Sequence, residues 1–274
     1  MKIGVIGTGS MGRTLIEAWI RSGVLHPEDL VISNRTLKKA EQLAFAFPGI
    51  QVAESNPQLV EQVQCIFLCI KPSDYSTVIA EIQSIVRPEH LVVSITSPVM
   101  IHDLEERLSG KIAKIIPSIT HISLSGTSLY IPGKRITAED QKFLLQLFSA
   151  ISTPLQIDEQ HTRIASDLAS CAPAFLANIL DQMIDAATEV TPLPRQTASE
   201  LVSHMVLGVG RLLTEEEFTL NRLQERVAVP GGITREGLNL LSGEFSPLFD
   251  RLFRLTHSKF AKDVDQTRQS LNIK

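Results

Sequence analysis

Cysteine is scarce in this chain of 274 residues, and the three cysteines show no metal-binding pattern. Cys65, Cys69 and Cys171 form no Cys-x-x-Cys pair and no cluster with nearby histidines. A disulfide framework or a zinc site would need such spacing. We therefore expect three thiols packed in the core and no bound metal.

An excess of basic residues is missing as well. The formal net charge is −4, and the lysines and arginines are scattered along the chain. Domains that bind nucleic acid usually carry a clustered basic surface. The sequence therefore predicts no nucleic-acid partner.

No apolar run is long enough to cross a membrane. The longest, Leu168 to Leu180, is bounded by Asp167 and Asp181 and falls short of the roughly 20 residues that span a bilayer. No apolar signal core or Arg-rich leader precedes the first strand-like run, which starts at Ile3. We expect a cytoplasmic protein with no membrane partner.

Short apolar runs alternate with helix-length amphipathic segments over the first half of the chain. Continuous β-branched runs separated by helices predict parallel strands that are buried on both faces. Two further short strands, with a helix between them at residues 138–150, extend the sheet. The predicted strands are Ile3–Ile6, Leu30–Ser33, Cys65–Ile70, Leu91–Ile95, Ile112–Ile116, Thr127–Ile131 and Pro154–Ile157.

Beyond Asp158 the apolar residues recur at helical spacing. Helices are predicted from Arg195 to Leu213, after Pro230 and after Pro247. The chain is therefore expected to form two domains, a sheet domain at residues 1–158 and an all-helical domain at residues 159–274.

A glycine-rich turn follows the first predicted strand and opens a helix. Its residues are Gly7, Thr8, Gly9, Ser10, Met11 and Gly12. In this context Gly-x-Gly-x-x-Gly predicts a dinucleotide site, because Gly7 permits the tight turn and Gly9 lets a pyrophosphate approach the helix N-terminus. A glycine turn without a ligand is the alternative. The predicted class is α/β, with an N-terminal Rossmann-type, mostly parallel sheet.

The second strand ends in Ser33, Asn34, Arg35 and Thr36. An NAD site would place an acid here to bind the ribose 2′-hydroxyl. A guanidinium with amide and hydroxyl donors instead suits a 2′-phosphate, and we expect no carboxylate to oppose it. Asn34, Arg35 and Thr36 therefore predict NADPH in preference to NADH. Alternatively, these residues only turn the chain and cap the next helix.

Two further groups follow central strands at the edge where open α/β sheets bind ligands. We predict that both contribute to the cofactor site, although a simple polar strand end explains the second group almost as well. The residues are Cys69, Ile70, Lys71 and Pro72 in the first group, and Thr96 and Ser97, preceded by Ser94, in the second.

A second candidate anion site lies in the helical half. Pro230, Gly231, Gly232, Ile233 and Thr234 precede a helical run, so that backbone N–H groups and the Thr234 hydroxyl are suited to a carboxylate. A capped turn explains the same spacing equally well.

Lysine is absent between Lys142 and Lys259. A hydroxyacid dehydrogenase of this two-domain build would use a cationic acid or base there, commonly lysine. His161, His204 and His257 remain as candidates, although an isolated histidine on a helix is more often structural. An imine can arrive already protonated. The deficit therefore favours reduction of a C=N bond over alcohol chemistry.

These spaced motifs resemble the pyrroline-5-carboxylate reductase family over essentially the whole chain, including divergent members encoded with competence genes. The glycine-rich turn looks like the family's cofactor loop, and Ile70 to Pro72 like its Val-Lys-Pro element. Ala172 to Phe175 stands for Gly-Pro-Ala-Tyr, and Pro230 to Thr234 for Pro-Gly-Gly-x-Thr. The family reduces 1-pyrroline-5-carboxylate to proline with NAD(P)H. The resemblance also implies a homodimer or higher homo-oligomer, because two subunits of the family interlock through their helical domains.

The resemblance carries further roles over to single residues. Asn56 is similar to an asparagine beside the adenosine ribose. The implied catalytic residues are Thr234 and Ser166, which replaces a threonine proposed to assist protonation of the ring nitrogen. The implied substrate-binding residues are Cys171, Pro230, Gly231, Gly232, Ile233 and Thr234.

Three places depart from the family pattern. Ala169 to Ala172 replaces Ser-Gly-Ser-Gly, Val229 replaces the serine before Pro-Gly-Gly, and Pro117 to Thr120 reads Pro-Ser-Ile-Thr where the family has Pro-Asn-Thr-Pro. A divergent cofactor-binding regulatory or scaffold protein with little turnover is therefore the second hypothesis. A deazaflavin-dependent NADP reductase is the third, and it shares only the pattern of the first domain.

Overall fold

The structure is a computed structural model that describes residues 1–216 and 218–272. A sheet of eight strands is built by the first half of the chain, and helices follow it. The strands are β1 (Ile3–Ile6), β2 (Leu30–Ser33), β3 (Gln51–Val52), β4 (Cys65–Leu68), β5 (Leu91–Ser94), β6 (Lys111–Ile116), β7 (Thr127–Pro132) and β8 (Thr153–Gln156). The helices are α1 (Ser10–Arg21), α2 (Leu37–Ala46), α3 (Asn56–Gln62), α4 (Tyr75–Ile82), α5 (Ile101–Glu105), α6 (Ala138–Ser149), α7 (Thr162–Ser166), α8 (Ala172–Val190), α9 (Arg195–Thr214), α10 (Leu220–Val227) and α11 (Ile233–Ser270).

The strands lie in the order β3-β2-β1-β4-β5-β6-β7-β8. All neighbouring pairs are parallel except β6 and β7, which are antiparallel. Val5 of β1 stands opposite Ile32 of β2 on one side and Phe67 of β4 on the other. Strands β2 and β3 are thus added on one side of β1, and β4 and the later strands on the other. This change in strand order at β1 is typical of dinucleotide-binding sheets. The predicted fold class is confirmed.

Both faces of the sheet carry a buried apolar layer. On one face Trp19 of α1 packs against Phe67, with ring centroids 4.9 Å apart, and against Phe148 of α6 at 5.8 Å. The opposite face is covered by α3, α4 and α5 through side chains such as Leu59 and Ile79. Each fully buried side chain of this size contributes roughly 1.5 to 3 kcal/mol. This packing holds the carboxyl ends of the strands in fixed register.

The chain divides into two compact units. The first unit comprises Met1–Cys171 and Thr256–Lys274, and the second comprises Ala172–Leu255. The sequence places the domain boundary after residue 158. The difference arises because the Glu159–Cys171 segment and the end of α11 pack with the sheet; Leu271, for example, belongs to the core on the α3 face.

One long helix replaces the two that proline spacing predicts. The sequence expects a break at Pro247, but α11 continues through it. Phe245, Phe249 and Phe253 stack four residues apart on one side of this helix, with centroids 5.7 and 6.0 Å apart. These ring contacts favour continuation of the helix through Pro247. A proline within a helical pattern often ends the helix, but kinked helices continue past it.

The sequence does not predict β3, α10 or a π-helical turn at Asp167–Cys171 that joins α7 to α8. In residues 1–216 and 218–272, no helix is both long enough and apolar enough to cross a membrane.

Candidate functional site

The glycine-rich turn between β1 and α1 is shaped by its own backbone. Gly7 has a φ of 98°, which strains any side chain, and a Cβ there would collide with the carbonyl oxygen of Cys69. A Cβ at Gly12 would collide with the carbonyl oxygen of Gly7. A Cβ at Gly9 would meet no atom within 4 Å in the described structure. The fold therefore requires the outer glycines, and the space beside Gly9 is open for a pyrophosphate.

The start of α1 is suited to an anion. Gly9 is the N-cap, and no side chain in the described ranges caps the helix. The first N–H groups of a helix have no intrahelical acceptor, and the helix dipole favours negative charge there. The backbone N–H groups of Ser10 and Met11, both predicted site residues, lie in this first turn and are suited to an anion.

Asn34 braces this turn from the end of β2. Its side-chain oxygen accepts from the backbone N–H of Thr8 at 3.1 Å, and its amide nitrogen donates to the carbonyl oxygen of Thr36 at 3.0 Å. The amide of Asn34 is therefore engaged in turning the chain, which was the alternative to a role in cofactor binding.

Asn56 also lies at the end of β2, although it is distant in sequence. The Ser33 hydroxyl donates to the Asn56 side-chain oxygen at 2.7 Å, and the Asn56 amide donates to Glu81 at 2.6 Å. The structure thus brings Asn56 beside the residues predicted to meet the adenosine half. Glu81, which orients this amide, lies exposed on α4, and no sequence motif identified it.

Arg35 extends into solvent, with its side chain 88% exposed. Its guanidinium lies 3.3 Å from a carboxylate oxygen of Asp74. The expectation that no carboxylate opposes Arg35 is therefore wrong. Asp74 lies in a short 3₁₀ turn with Pro72, directly after the exposed Lys71, and is far from Arg35 along the chain. Thr36 is the N-cap residue of α2.

The loops after β4 and β5 meet at the predicted edge of the sheet. The Thr96 hydroxyl donates to the carbonyl oxygen of Ile70 at 3.0 Å. Cys69 donates its backbone N–H to Ile6 at 2.8 Å, and burial raises the pKa of its thiol to about 12. The thiol is therefore neutral at physiological pH and acts as packing rather than as a nucleophile.

Two predicted hydroxyls in this region lack a protein partner. The Oγ1 of Thr8 and the Oγ of Ser97 are buried and form no hydrogen bond within the described part of the chain. Buried hydroxyls are normally hydrogen-bonded, so these two groups are available to a polar ligand. Together with the open space at Gly9, these orphaned groups fit a bound dinucleotide.

Ser166 directly precedes the π-helical turn, and Cys171 is its last residue. Ser166 is 2% exposed, and its hydroxyl has no partner among residues 1–216 and 218–272. Cys171 is partly exposed, and its sulfur lies 3.1 Å from a guanidinium nitrogen of Arg163. Of the three cysteines expected in the core, only Cys65 is fully buried.

The π-helical turn is fastened to the end of β6. The Ser118 hydroxyl donates to the carbonyl oxygen of Ala169 at 2.9 Å, and the Ser170 hydroxyl donates to that of Pro117 at 2.8 Å. Such turns often occur at functional sites. The stretch from Ala169 to Ala172, which departs from the family pattern, therefore begins in a turn that these two hydrogen bonds hold to the end of β6.

In the second unit, Gly231 has a φ of 73°, and α11 begins at Ile233, which is 94% exposed. The N–H of Gly232 donates to the carbonyl oxygen of Val229 at 3.0 Å, so this N–H, one of the donors that the sequence predicts for a carboxylate, is already engaged. Thr234 is exposed in the first turn of α11, and Pro230 precedes the glycines. The remaining donors are those of the helix start.

The predicted cofactor residues, together with Ser166 and Cys171, therefore lie in the first unit, and the Pro230–Thr234 loop lies in the second. The described ranges contain no group of three or more His, Cys, Asp or Glu side chains placed to hold a metal ion.

Comparison with known proteins adds two family matches. Residues 2–98 match the family described as NADP oxidoreductase, coenzyme F420-dependent. Residues 159–262 match the family described as pyrroline-5-carboxylate reductase dimerisation. The deazaflavin-type pattern is thus confined to the sheet half, as the sequence predicted.

Similar proteins cover the full chain. ComE operon protein 4 of Bacillus subtilis is 39% identical, and the match covers 100% of both chains. Pyrroline-5-carboxylate reductase of Methanosarcina acetivorans is 30% identical over 88% of this chain and 89% of its own. The structure of Plasmodium falciparum pyrroline carboxylate reductase with NADP bound has a TM-score of 0.81 at 22% identity, and the match covers 98% of each chain. The chain therefore belongs to the pyrroline-5-carboxylate reductase family and has the NAD(P)-dependent oxidoreductase fold of that family.

Proposed function

We propose that the protein is an NADPH-dependent reductase of a cyclic imino acid, and that it reduces 1-pyrroline-5-carboxylate to proline. The observation that carries this proposal is the glycine-rich turn, which has open space at Gly9 and, among residues 1–216 and 218–272, unpartnered hydroxyls on Thr8 and Ser97 nearby. Family membership and the absence of lysine between Lys142 and Lys259 support imine chemistry. When bound, the reduced cofactor supplies a hydride to the carbon of the C=N bond.

The chain's own groups bind and orient both reactants in this proposal. The first N–H groups of α1 hold the pyrophosphate, and Arg35 contacts the 2′-phosphate. The helix start at Ile233 and the Thr234 hydroxyl bind the substrate carboxylate. The buried Ser166 hydroxyl assists protonation of the ring nitrogen, a role that suits a hydroxyl with no partner in the part of the chain that the structure describes.

A homodimer or higher homo-oligomer is also part of the proposal. The match to the dimerisation family spans residues 159–262. Apolar side chains on α8 and α9 are exposed in the single chain, which is the expected property of a surface that a partner covers. These side chains are Leu176, Met183, Leu201, Met205 and Leu207.

We expect the purified protein to oxidise NADPH when 1-pyrroline-5-carboxylate is added. Thr234→Ala should raise KM for the imino acid roughly threefold to tenfold, the loss of one hydrogen bond, and should leave NADPH affinity unchanged. Steady-state kinetics and NADPH titration measure both. Thr214→Ala is the matched control, because Thr214 is an exposed threonine of the same unit whose hydroxyl donates within its own helix.

A second candidate function is a cofactor-binding regulatory or scaffold protein. The 39% identity to ComE operon protein 4 favours it, since this identity exceeds the 30% to the Methanosarcina reductase. Normal NADPH binding without turnover of pyrroline-5-carboxylate or related cyclic imines would make this the better account.

Cofactor preference gives a separate prediction. Arg35→Ala should weaken NADPH binding roughly twofold to fivefold without affecting NADH, because an exposed guanidinium contributes modestly. Asp74→Asn should strengthen NADPH binding, since it removes the acid that competes for Arg35. Fluorescence titration with NADPH and NADH tests both predictions. Arg254→Ala, which removes another exposed arginine, is the control. Equal affinity of the wild type for NADPH and NADH would contradict the assignment.

A further inference from the structure

Lys114, in the middle of β6, is a buried cation within the sheet, between β5 and β7. Its side chain is 0% exposed, and its ammonium donates to Glu159 at 2.7 Å and to the carbonyl oxygen of Ser97 at 3.2 Å. Desolvation lowers the pKa of Lys114, and the Glu159 carboxylate opposes that shift. Burying an ion pair costs desolvation energy, and an apolar pair of similar size is often at least as stable. The Lys114–Glu159 pair therefore calls for an explanation other than stability.

The pair fastens the connection between β5 and α5 at both ends. Lys114 holds the Ser97 carbonyl near the start of the connection. The same Glu159 oxygen that receives Lys114 also accepts from the backbone N–H of Ile101, the first residue of α5, at 2.8 Å. Thr96 adds a bond to Ile70 in the neighbouring loop. The connection is therefore held by groups from three other segments of the first unit.

The strand order shows which half of a dinucleotide this connection would meet. The pyrophosphate turn follows β1, and the residues suited to the adenosine half, Arg35 and Asn56, lie on the β2 side. The strands β4 and β5 lie on the opposite side of β1. The Ser97 loop is thus placed at the nicotinamide half, and its hydroxyl is buried without a partner in the described residues.

We propose that Lys114 and Glu159 are positioning residues that hold the Ser97 loop against the nicotinamide half of the cofactor. This proposal rests on the cofactor site proposed above. If the proposal holds, loss of the pair weakens binding of the nicotinamide half and leaves binding of the adenosine half unchanged. A general loss of stability would weaken binding of both halves.

The test compares two ligands in Lys114→Met. NADPH contains both halves, whereas 2′,5′-ADP contains only the adenosine half with its 2′-phosphate. We expect the NADPH Kd to rise about tenfold or more, because a bond to a charged group and the loop position are lost together. The Kd of 2′,5′-ADP should stay within about twofold. Lys114→Arg should restore most of the NADPH affinity.

Lys111 provides the matched control. It lies on the same strand, and its ammonium is 2.8 Å from Asp140 in a partly buried pair that includes no residue of the Ser97 loop. Lys111→Met should leave both affinities within about threefold of wild type. If Lys114→Met does not fold, the Lys114→Met/Glu159→Gln double variant removes both charges and is tested with the same two ligands.

Equal weakening of both ligands, or unchanged NADPH affinity, in Lys114→Met would overturn the positioning role. Failure of the wild type to bind either ligand would instead overturn the proposed cofactor site, and the positioning role with it.

Discussion

Gly9→Ala is expected to keep the stability of the wild type and to lose most of its affinity for NADPH. The backbone at Gly9 has φ −71° and ψ −168°, which alanine adopts without strain, and its Cβ would enter open space. A pyrophosphate approaching the turn would meet that methyl group. Overpacking of this kind costs about 1 to 3 kcal/mol, which corresponds to roughly 5-fold to 150-fold weaker binding.

Gly7→Ala is the matched contrast. It requires a side chain at a φ of 98° and drives the Cβ into the Cys69 carbonyl. Strain of this type lowers the free energy of unfolding by about 1 to 3 kcal/mol even without ligand. Thermal unfolding of the free proteins, followed by NADPH titration, separates the two effects. Wild-type NADPH affinity in Gly9→Ala would show that no pyrophosphate binds at this turn.

Asp167→Ala is expected to cause the largest loss of stability. Asp167 is 0% exposed, and its carboxylate lies 2.7 Å from the Arg163 guanidinium and accepts from the Thr256 hydroxyl at 2.7 Å. Removing the acid leaves Arg163, which is 15% exposed, without its carboxylate partner. Breaking a buried pair in this way lowers the free energy of unfolding by about 3 to 5 kcal/mol.

Denaturant unfolding measures this effect. Asp167→Asn retains a carbonyl acceptor and should fall between Asp167→Ala and the wild type. As a control, Glu17→Ala breaks the more exposed pair with Arg13 and should change the free energy of unfolding by less than about 1 kcal/mol. A loss as small as this in Asp167→Ala would show that the π-helical turn does not depend on the pair.

The sequence allowed most of the sheet to be predicted because its strands are buried on both faces. Runs such as Ile3–Ile6 and Leu30–Ser33 are continuously apolar and coincide with β1 and β2. The strand β3 is two residues long, too short to show any periodicity. The end of α11 packs into the first unit, and this long-range contact has no local pattern. That is why the boundary after residue 158 differs from the observed division.

The candidate site was predictable where its chemistry is local. The glycine-rich turn fixes backbone geometry within six neighbouring residues, so its motif is readable directly. Asp74, Glu81 and Lys114 act on partners far away in the chain: Arg35, Asn56 and Glu159, respectively. A single sequence contains no signal for such pairs, because each is an ordinary charged residue until the fold brings the partners together.

The discontinuity of the first unit affects how the protein is made. Residues 256–272 leave the ribosome after the whole of the second unit, yet Leu271 belongs to the sheet core, Arg268 pairs with the buried Asp103, and the carbonyl of Leu271 accepts from Arg107. During synthesis, part of the apolar surface of the sheet therefore stays uncovered until the second unit, Ala172–Leu255, and the residues after it have been translated.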